Sequence, residues 1–196
     1  YLYEDVDAQA YADWGVDFLK YDYCFVPLLC LGDSTYEDQS VAEYLYGRMN
    51  NAIKRTGRDI LLYMCEWGST NPWTWAHKVD APMWRATLDH RDGWLGRPGA
   101  NIENVQGAGI GVFQALHIWR DLWPYTGVNH FSCADMLCIG IRGRGLASSI
   151  LLEGVSRRKE DGMFLKDGKQ YFGMNTDEAH TEFVMWCMWA SPLVLS

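Results

Sequence analysis

The sequence predicts an α/β fold in which helices cover a parallel β-sheet. Short apolar runs alternate with helical segments along the chain, and several of these runs end in an ionisable residue. Strands of a parallel sheet are covered on both faces, so they form unbroken apolar runs. This alternation is typical both of (β/α)8 barrels and of doubly wound sheets, and the spacing alone does not choose between them. Acidic residues at successive strand ends are what the active site of a barrel requires.

Two helices are predicted from their end signals. A helical pattern covers about residues 3–14 and stops at Gly15. Ser34 and Glu37 have the spacing of a capping box, which predicts a second helix that begins there and runs to about residue 55. Gly57 then closes this helix.

The remaining elements follow from apolar runs, caps and breakers of the same kind. They are, in chain order, a strand at 16–22, a strand at 59–66, a short Trp-rich helix that begins at Asn71 and Pro72, a strand at 81–88, a helix at about 102–119, a strand at 130–137, a helix at about 177–190 and a strand at 192–195. The glycine-rich segment 141–173 breaks the alternation and predicts a long insertion with room for a β-hairpin. A plain surface excursion and a loop that shapes the site both stay open.

Composition excludes several classes of function. The net charge is −8 without a basic stripe, which argues against a nucleic-acid-binding surface, and no apolar run is long enough to span a membrane. The six cysteines form no CxxC pair and the five histidines show no metal-ligand spacing, so we expect no metal. Gly107, Gly109 and Gly111 lack the spacing and the preceding strand of a dinucleotide-binding loop, and we expect no organic cofactor. The 10 Trp, 11 Tyr and 7 Phe either thicken the core or provide platforms for sugar rings.

Carboxylates at two strand ends are the candidate catalytic groups. Asp22 and Asp89 end two runs that would lie two strands apart in a barrel, whereas such an acid is often only a turn residue. Glycoside cleavage needs one carboxylate as nucleophile and another as proton donor and base. Lys20 lies on the same side of its strand as Asp22 and can hold it ionised. Arg85 and Glu66, from adjacent strand ends, are natural partners for sugar hydroxyls.

Five segments together resemble a known family. They are WGVDFLKYDYC (14–24), RTGRDILLYMCEWG (55–68), WRATLD (84–89), ADML (134–137) and FVMWCMWASPL (183–193). The same segments occur in this order in α-galactosidases of glycoside hydrolase family 27. The resemblance covers nearly the whole chain, apart from parts of the segment 141–173.

The resemblance implies that residues 1–196 are an internal piece of a catalytic domain. The expected fold is a partial TIM (β/α)8 barrel with roughly strands 4 to 8 and their helices, its first strands lying upstream of residue 1. It also implies that Asp22 is the nucleophile and Asp89 the acid/base. The substrate-binding residues that it implies are Lys20, Glu66, Arg85 and Asp135. A glutamate at position 66, where related enzymes for N-acetylgalactosamine have a small residue, favours unsubstituted galactose.

The resemblance further implies a disulfide between Cys24 and Cys65. Such a bond favours an exported enzyme, secreted or periplasmic. In one place the chain departs from the family's pattern. The usual W-N-D-P-D-M is replaced around Cys133, so the role of the family's first aspartate there is not transferred to this cysteine.

The expected activity is hydrolysis of terminal α-linked galactose with net retention, with an α-galactoside carbohydrate as the partner. Retention requires the two carboxyl groups to lie about 5–5.5 Å apart. Three alternatives stay open, namely β-L-arabinopyranosidase activity, isomaltodextranase activity, and a catalytically silent sugar-binding barrel. The sequence leaves the oligomeric state undetermined.

Overall fold

The structure is a computed structural model, and it describes residues 3–26, 38–94, 110–141, 156–157, 163–166, 169–172 and 174–195. The chain divides into two compact units. The first unit contains residues 1–86 and 125–133, and the second contains residues 87–124 and 134–196.

A four-stranded parallel sheet forms the first unit. Its strands are β1 Phe18–Asp22, β2 Leu61–Cys65, β3 Met83–Arg85 and β4 Phe131–Cys133. They pair in the order β1-β2-β3-β4, so each connection leads to the next strand along the sheet. Among these four strands the order never reverses, as it does at the switch point of a doubly wound sheet. The predicted parallel α/β fold is therefore confirmed, with barrel-type winding.

Among the described elements, the helices α1 Glu4–Asp13 and α2 Gln39–Thr56 accompany this sheet. The helix α1 ends just before Gly15, as predicted. The buried Glu4 of α1 pairs with Arg48 of α2 at 2.6 Å, which joins the two helices. The buried Glu4 carboxylate therefore has a charged partner within the first unit.

The beginning of α2 differs from the prediction. The side chain of Asp38 caps the helix by accepting hydrogen bonds from the backbone N–H groups of Ser40 and Val41, at 3.0 and 3.3 Å. Asp38 itself is extended, so the helix cannot continue through it to an earlier start. The predicted start at Ser34 is wrong, and the predicted capping box lies outside the described residues. The helix ends at Thr56 and is capped by Gly57, whose φ of +74° suits glycine, as predicted.

The predicted Trp-rich helix is two consecutive 3₁₀ turns, Pro72–Thr74 and Ala76–Val79. Trp75 lies between them, fully buried, and its indole N–H donates to the carbonyl of Thr70 at 3.1 Å. A short turn of this kind satisfies fewer backbone groups than an α-helix. The buried tryptophan therefore anchors the segment.

The second unit contains the helices α3 Val112–Trp119 and α4 Thr176–Met188, an antiparallel sheet, and most of a third 3₁₀ turn, Trp123–Tyr125. The sheet pairs β5 Ser156–Arg157, β6 Met163–Lys166 and β7 Lys169–Phe172. A β-hairpin is thus present in segment 141–173, whereas the extent of the insertion stays a prediction. Of the predicted strand 192–195, the structure has one parallel bridge, Leu137 to Leu195.

The ends of α3 and α4 follow from their caps. The predicted start of α3 near residue 102 is too early, because Gly111 is extended and precedes the helix. The predicted last helix is confirmed within two residues at each end. Asn175 and Glu178 form a reciprocal capping box at its start. Among the described residues, no helix has the length and apolar character needed to cross a membrane.

A single hydroxyl group joins α2 to the ends of two strands. Tyr46 is buried, and its hydroxyl donates to the carbonyl of Tyr21 in β1 at 3.1 Å. The same oxygen accepts a hydrogen bond from the backbone N–H of Cys65 in β2 at 3.2 Å. Burial raises the pKa of Tyr46, so the hydroxyl stays protonated and keeps both roles.

Replacing Tyr46 by phenylalanine should lower the free energy of unfolding by about 1–3 kcal/mol, because the buried N–H of Cys65 then loses an acceptor. Urea unfolding of the protein expressed from its complete open reading frame measures this loss. The matched control is Tyr44→Phe in the same helix, since Tyr44 is 60% exposed and its hydroxyl accepts a hydrogen bond from Arg48 at 3.1 Å. We expect a change within about 0.5 kcal/mol for the control. Equal effects of the two substitutions would contradict the prediction.

Candidate active site

The carboxyl end of β1 presents a carboxylate and an ammonium group on one face. Alternate residues of this strand are exposed, which puts Phe18, Lys20 and Asp22 together on the open face. The Asp22 carboxylate accepts a hydrogen bond from the N–H of Tyr23 at 2.9 Å. The Lys20 ammonium lies 5.6 Å from the centre of the Tyr63 ring of β2, within cation–π range. The predicted placement of Lys20 and Asp22 on one side of the strand is confirmed.

Glu66 follows β2 directly and is fully buried. One of its oxygens accepts from the N–H of Gly68 at 2.9 Å, and the other accepts from the N–H and the hydroxyl of Thr70 at 2.8 and 2.9 Å. Burial raises the pKa of Glu66 to about 8, and the hydrogen bonds from Thr70 and Gly68 oppose this rise. The residue after it, Trp67, has a φ of +59°, which L-residues rarely adopt. The side chain is thus held rigidly by the turn that it organises.

Arg85 ends β3 and is also fully buried. Its Nη1 group donates to the sulfur of Cys65 at 3.6 Å, so the guanidinium reaches the end of the neighbouring strand β2. On the other side Arg85 is in register with Cys133, whose sulfur accepts a hydrogen bond from the Tyr63 hydroxyl at 3.1 Å. The first unit therefore gathers a carboxylate, a buried acid and two cations near the carboxyl ends of three adjacent strands.

In the second unit, Asp89 lies after β3 with a half-exposed side chain. Arg91 approaches its carboxylate at 3.1 Å. The backbone around it is fixed, because the carbonyl of Asp89 accepts from the N–H of Ile110 at 3.0 Å and the N–H of Arg91 donates to the Ile110 carbonyl at 2.8 Å. The carboxylate is thus accessible to solvent while its backbone is anchored.

Asp135, a predicted substrate-binding residue, is buried and has a φ of +74°. One carboxylate oxygen accepts a hydrogen bond from the backbone N–H of His90 at 2.8 Å. Its carbonyl accepts from the indole N–H of Trp186 at 2.9 Å. In the structure this aspartate therefore holds the residue that follows Asp89, and a role in substrate binding stays a prediction.

A buried group of three residues was missed by the sequence reasoning, namely His90, Cys138 and Glu182. Their potential metal-ligand atoms lie within 4.8 Å of one another, so these are the side chains that could hold an ion in the described part of the chain. However, His90 Nε2 and Glu182 Oε1 are already hydrogen-bonded at 2.7 Å. Burial raises the pKa of the Cys138 thiol, which disfavours the thiolate that binds metals. Because His90 and Glu182 are 92 residues apart, no local motif could have signalled the group.

The remaining site predictions stay open. Cys24 is exposed after β1 and Cys65 is buried at the end of β2, where the N–H of Tyr23 donates to the Cys65 carbonyl at 3.1 Å. The disulfide between these cysteines stays a prediction. Asp22 and Asp89 belong to different units, and the carboxylate separation of about 5–5.5 Å that retention requires also stays a prediction.

Replacing Glu66 by glutamine should flatten the pH dependence of stability. Unfolding returns the pKa of Glu66 from about 8 to its ordinary value of 4.5. Between these values the folded protein holds a proton that the unfolded chain releases, so stability falls as the pH rises through this window. Glutamine does not titrate. The melting temperature, measured from about pH 5 to about pH 8, should therefore fall less in Glu66→Gln than in the unsubstituted protein.

Glu43→Gln is the matched control. Hydrogen bonds from Gln39 and Lys78 lower the pKa of Glu43, so its contribution is present above 4.5 and is lost only as the pH falls through the lowered value. The control should leave the slope above about pH 5 unchanged. An identical slope for Glu66→Gln and the unsubstituted protein would contradict the assigned pKa shift.

Comparison with known proteins agrees with this arrangement. The family model described as alpha galactosidase A matches residues 1–148. Alpha-galactosidase A of Cellvibrio japonicus is 29% identical over 195 residues, which cover 98% of this chain and 36% of the relative. The chain thus spans about a third of the length of the curated relatives it matches.

Solved structures show the same fold. A crystal structure from Bacteroides fragilis, provisionally assigned as an alpha-galactosidase, matches all of this chain and 34% of its own with a TM-score of 0.76 and 33% identity. Alpha-galactosidase I from Mortierella vinacea matches 99% of this chain and 41% of its own, with a TM-score of 0.72 and 25% identity. These matches confirm the predicted partial barrel. The chain belongs to the alpha galactosidase A family.

Proposed function

We propose that this chain is part of a hydrolase that cleaves terminal α-linked galactose from carbohydrates by a retaining double displacement. The observation that carries the proposal is the position of Asp22. It ends β1 on the open face, two residues from Lys20, and its register partner Cys65 directly precedes Glu66. Membership in the alpha galactosidase A family supports galactose as the sugar.

In the first step, an Asp22 carboxylate oxygen attacks the anomeric carbon and the bond to the leaving oxygen breaks. Asp89 donates its proton to that oxygen, so the leaving group departs as an alcohol. In the second step, the Asp89 carboxylate takes a proton from water while the water oxygen attacks the anomeric carbon. The bond to Asp22 breaks, galactose leaves with its original configuration, and both carboxyl groups return to their starting states.

The groups around Asp22 suit the binding of sugar hydroxyls. Lys20 provides an ammonium donor on the same face, and its contact with the Tyr63 ring restricts where that donor can go. Glu66 and Arg85 are fully buried and already hydrogen-bonded at the ends of β2 and β3, so they stabilise the strand ends beside Asp22, and their direct contact with sugar hydroxyls stays a prediction. Export to an oxidising compartment is part of the proposal, because it would allow the Cys24–Cys65 disulfide.

Kinetics of variants test the catalytic assignments in the protein expressed from its complete open reading frame. We expect Asp89→Asn to lower kcat/KM for methyl α-galactoside by about 10²–10⁴-fold, because that leaving group needs a proton. Asp22→Asn should lower turnover of every α-galactoside by at least as much, since no glycosyl-enzyme can form. Asp7→Asn, an exposed acid of α1, is the control and should leave kcat/KM unchanged. Unimpaired turnover in Asp22→Asn would refute its role as the nucleophile.

Product stereochemistry and substrate choice test the reaction class. Proton NMR of the first product should show the α anomer of galactose, and an initial β anomer would refute retention. Turnover of nitrophenyl α-galactoside should exceed that of nitrophenyl β-L-arabinopyranoside. The reverse preference would favour an arabinopyranosidase, and release of isomaltose from an α-glucan would favour an isomaltodextranase. Sugar binding without turnover would favour a silent binding protein.

A further inference from the structure

We propose that Glu182 is a positioning residue for Asp89 and that it acts through His90. This inference rests on the proposed role of Asp89 as the acid/base. His90 directly follows Asp89, and its Nε2 is hydrogen-bonded to Glu182 Oε1 at 2.7 Å. Both side chains are fully buried, with 0% exposure. A buried carboxylate–imidazole pair is costly to break, so it fixes the orientation of the His90 ring.

Glu182 holds a second segment with the same oxygen. Its Oε1 accepts a hydrogen bond from the backbone N–H of Cys138 at 2.8 Å. The residue lies in the helix α4, which therefore connects the segment after β3 with the segment after β4. One side chain of a regular helix thus sets the spacing between two loops of the second unit.

The backbone of His90 is fixed from the other side. Its N–H donates to Asp135 at 2.8 Å, and the ring of Trp186, one turn after Glu182, lies 4.8 Å from the His90 ring. Trp186 also donates to the Asp135 carbonyl at 2.9 Å. The ring and the backbone of His90 are therefore both held, and Asp89 is attached to this fixed point by one peptide bond.

Such rigidity has a catalytic consequence. A general acid must come within about 2.6–3.2 Å of the oxygen that it protonates, and a displacement of about 1 Å can cost about 10²-fold in rate. The Asp89 carboxylate is half exposed and is thus less constrained by packing. Its direction depends on the hydrogen bond from Arg91 at 3.1 Å and on the backbone, which the contacts of Glu182, Asp135 and Trp186 hold in place.

Comparing activity on two substrates with different leaving groups distinguishes a loss of positioning from a loss of stability. Glu182→Leu combined with His90→Phe removes both polar side chains of this pair at once, so the only group that loses a partner described above is the backbone N–H of Cys138, at a cost of about 1–3 kcal/mol. We expect this double variant to lower kcat/KM for methyl α-galactoside by about 10–100-fold. For 2,4-dinitrophenyl α-galactoside, whose leaving group needs no proton, we expect a change of about twofold or less. Thermal unfolding monitors whether the double variant is folded.

Two further variants serve as a conservative replacement and a control. Glu182→Gln keeps an oxygen that can accept hydrogen bonds from both His90 and Cys138. We therefore expect this variant to retain most of the activity of the unsubstituted protein on methyl α-galactoside. Thr181→Ala removes only a hydroxyl that donates to the Asp177 carbonyl on α4 and should match the unsubstituted protein on both substrates.

The outcomes separate this inference from the proposed function. An equal loss on both substrates, or no loss on either, would overturn the positioning role. Loss of activity in the unsubstituted protein on treatment with a chelator would also overturn it, because His90, Cys138 and Glu182 would then be metal ligands. If Asp89→Asn is itself insensitive to the leaving group, the acid/base assignment fails. A leaving-group effect in Asp89→Asn but not in the double variant refutes the positioning role alone.

Discussion

The parallel register between β1 and β2 is the constraint on which the candidate site depends. It sets Asp22 opposite Cys65, so that the next residue of β2, Glu66, emerges beside the end of β1. In a parallel sheet a shift by one residue would turn each side chain of the strand to the other face. The hydroxyl of Tyr46, bonded to both strands, and the bond from Tyr23 to Cys65 beyond the paired residues both fit this one register.

Burial imposes a second requirement within each unit, because buried polar groups need hydrogen-bond partners. The chain meets much of it with backbone N–H donors, whereas His90 Nδ1, Ser132 Oγ and Glu182 Oε2 have no hydrogen-bond partner among the described residues. Glu66 accepts from the turn that follows it, Asp135 accepts from His90, and Glu182 accepts from Cys138. Two of the residues involved, Trp67 and Asp135, have positive φ angles, which costs of order 1–3 kcal/mol each. Backbone in these conformations persists only where its surroundings hold it in place.

The sequence predicted the fold well wherever neighbouring residues alone determine the secondary structure. The apolar run that ends at Asp22 and the capped helix α4 could be predicted from neighbouring residues alone. The start of α2 could not, since Ser34 with Glu37 and Asp38 with Ser40 both have cap chemistry and the local sequence does not choose between them. The helical pattern before α3 likewise gave no hint that Gly111 is extended.

In the candidate site, too, the sequence predicted some features and not others. Lys20 and Asp22 share a face because strands have a period of two, which the sequence displays directly. The link between His90 and Glu182 has no such signature, because it joins parts of the chain that only folding brings together. The resemblance to a family supplied the chemical roles, whereas the hydrogen bonds that hold the side chains became visible only in three dimensions.

The position of β1 at one edge of the described sheet matters for handling the protein. An edge strand offers backbone N–H and C=O groups that another molecule can pair with. On this strand Phe18 is 46% exposed, and on the opposite edge strand, β4, Phe131 is 39% exposed. Apolar side chains next to open backbone groups favour edge-to-edge association. In a preparation limited to these 196 residues we therefore expect edge-to-edge association, and a charged substitution at Phe18 should reduce it.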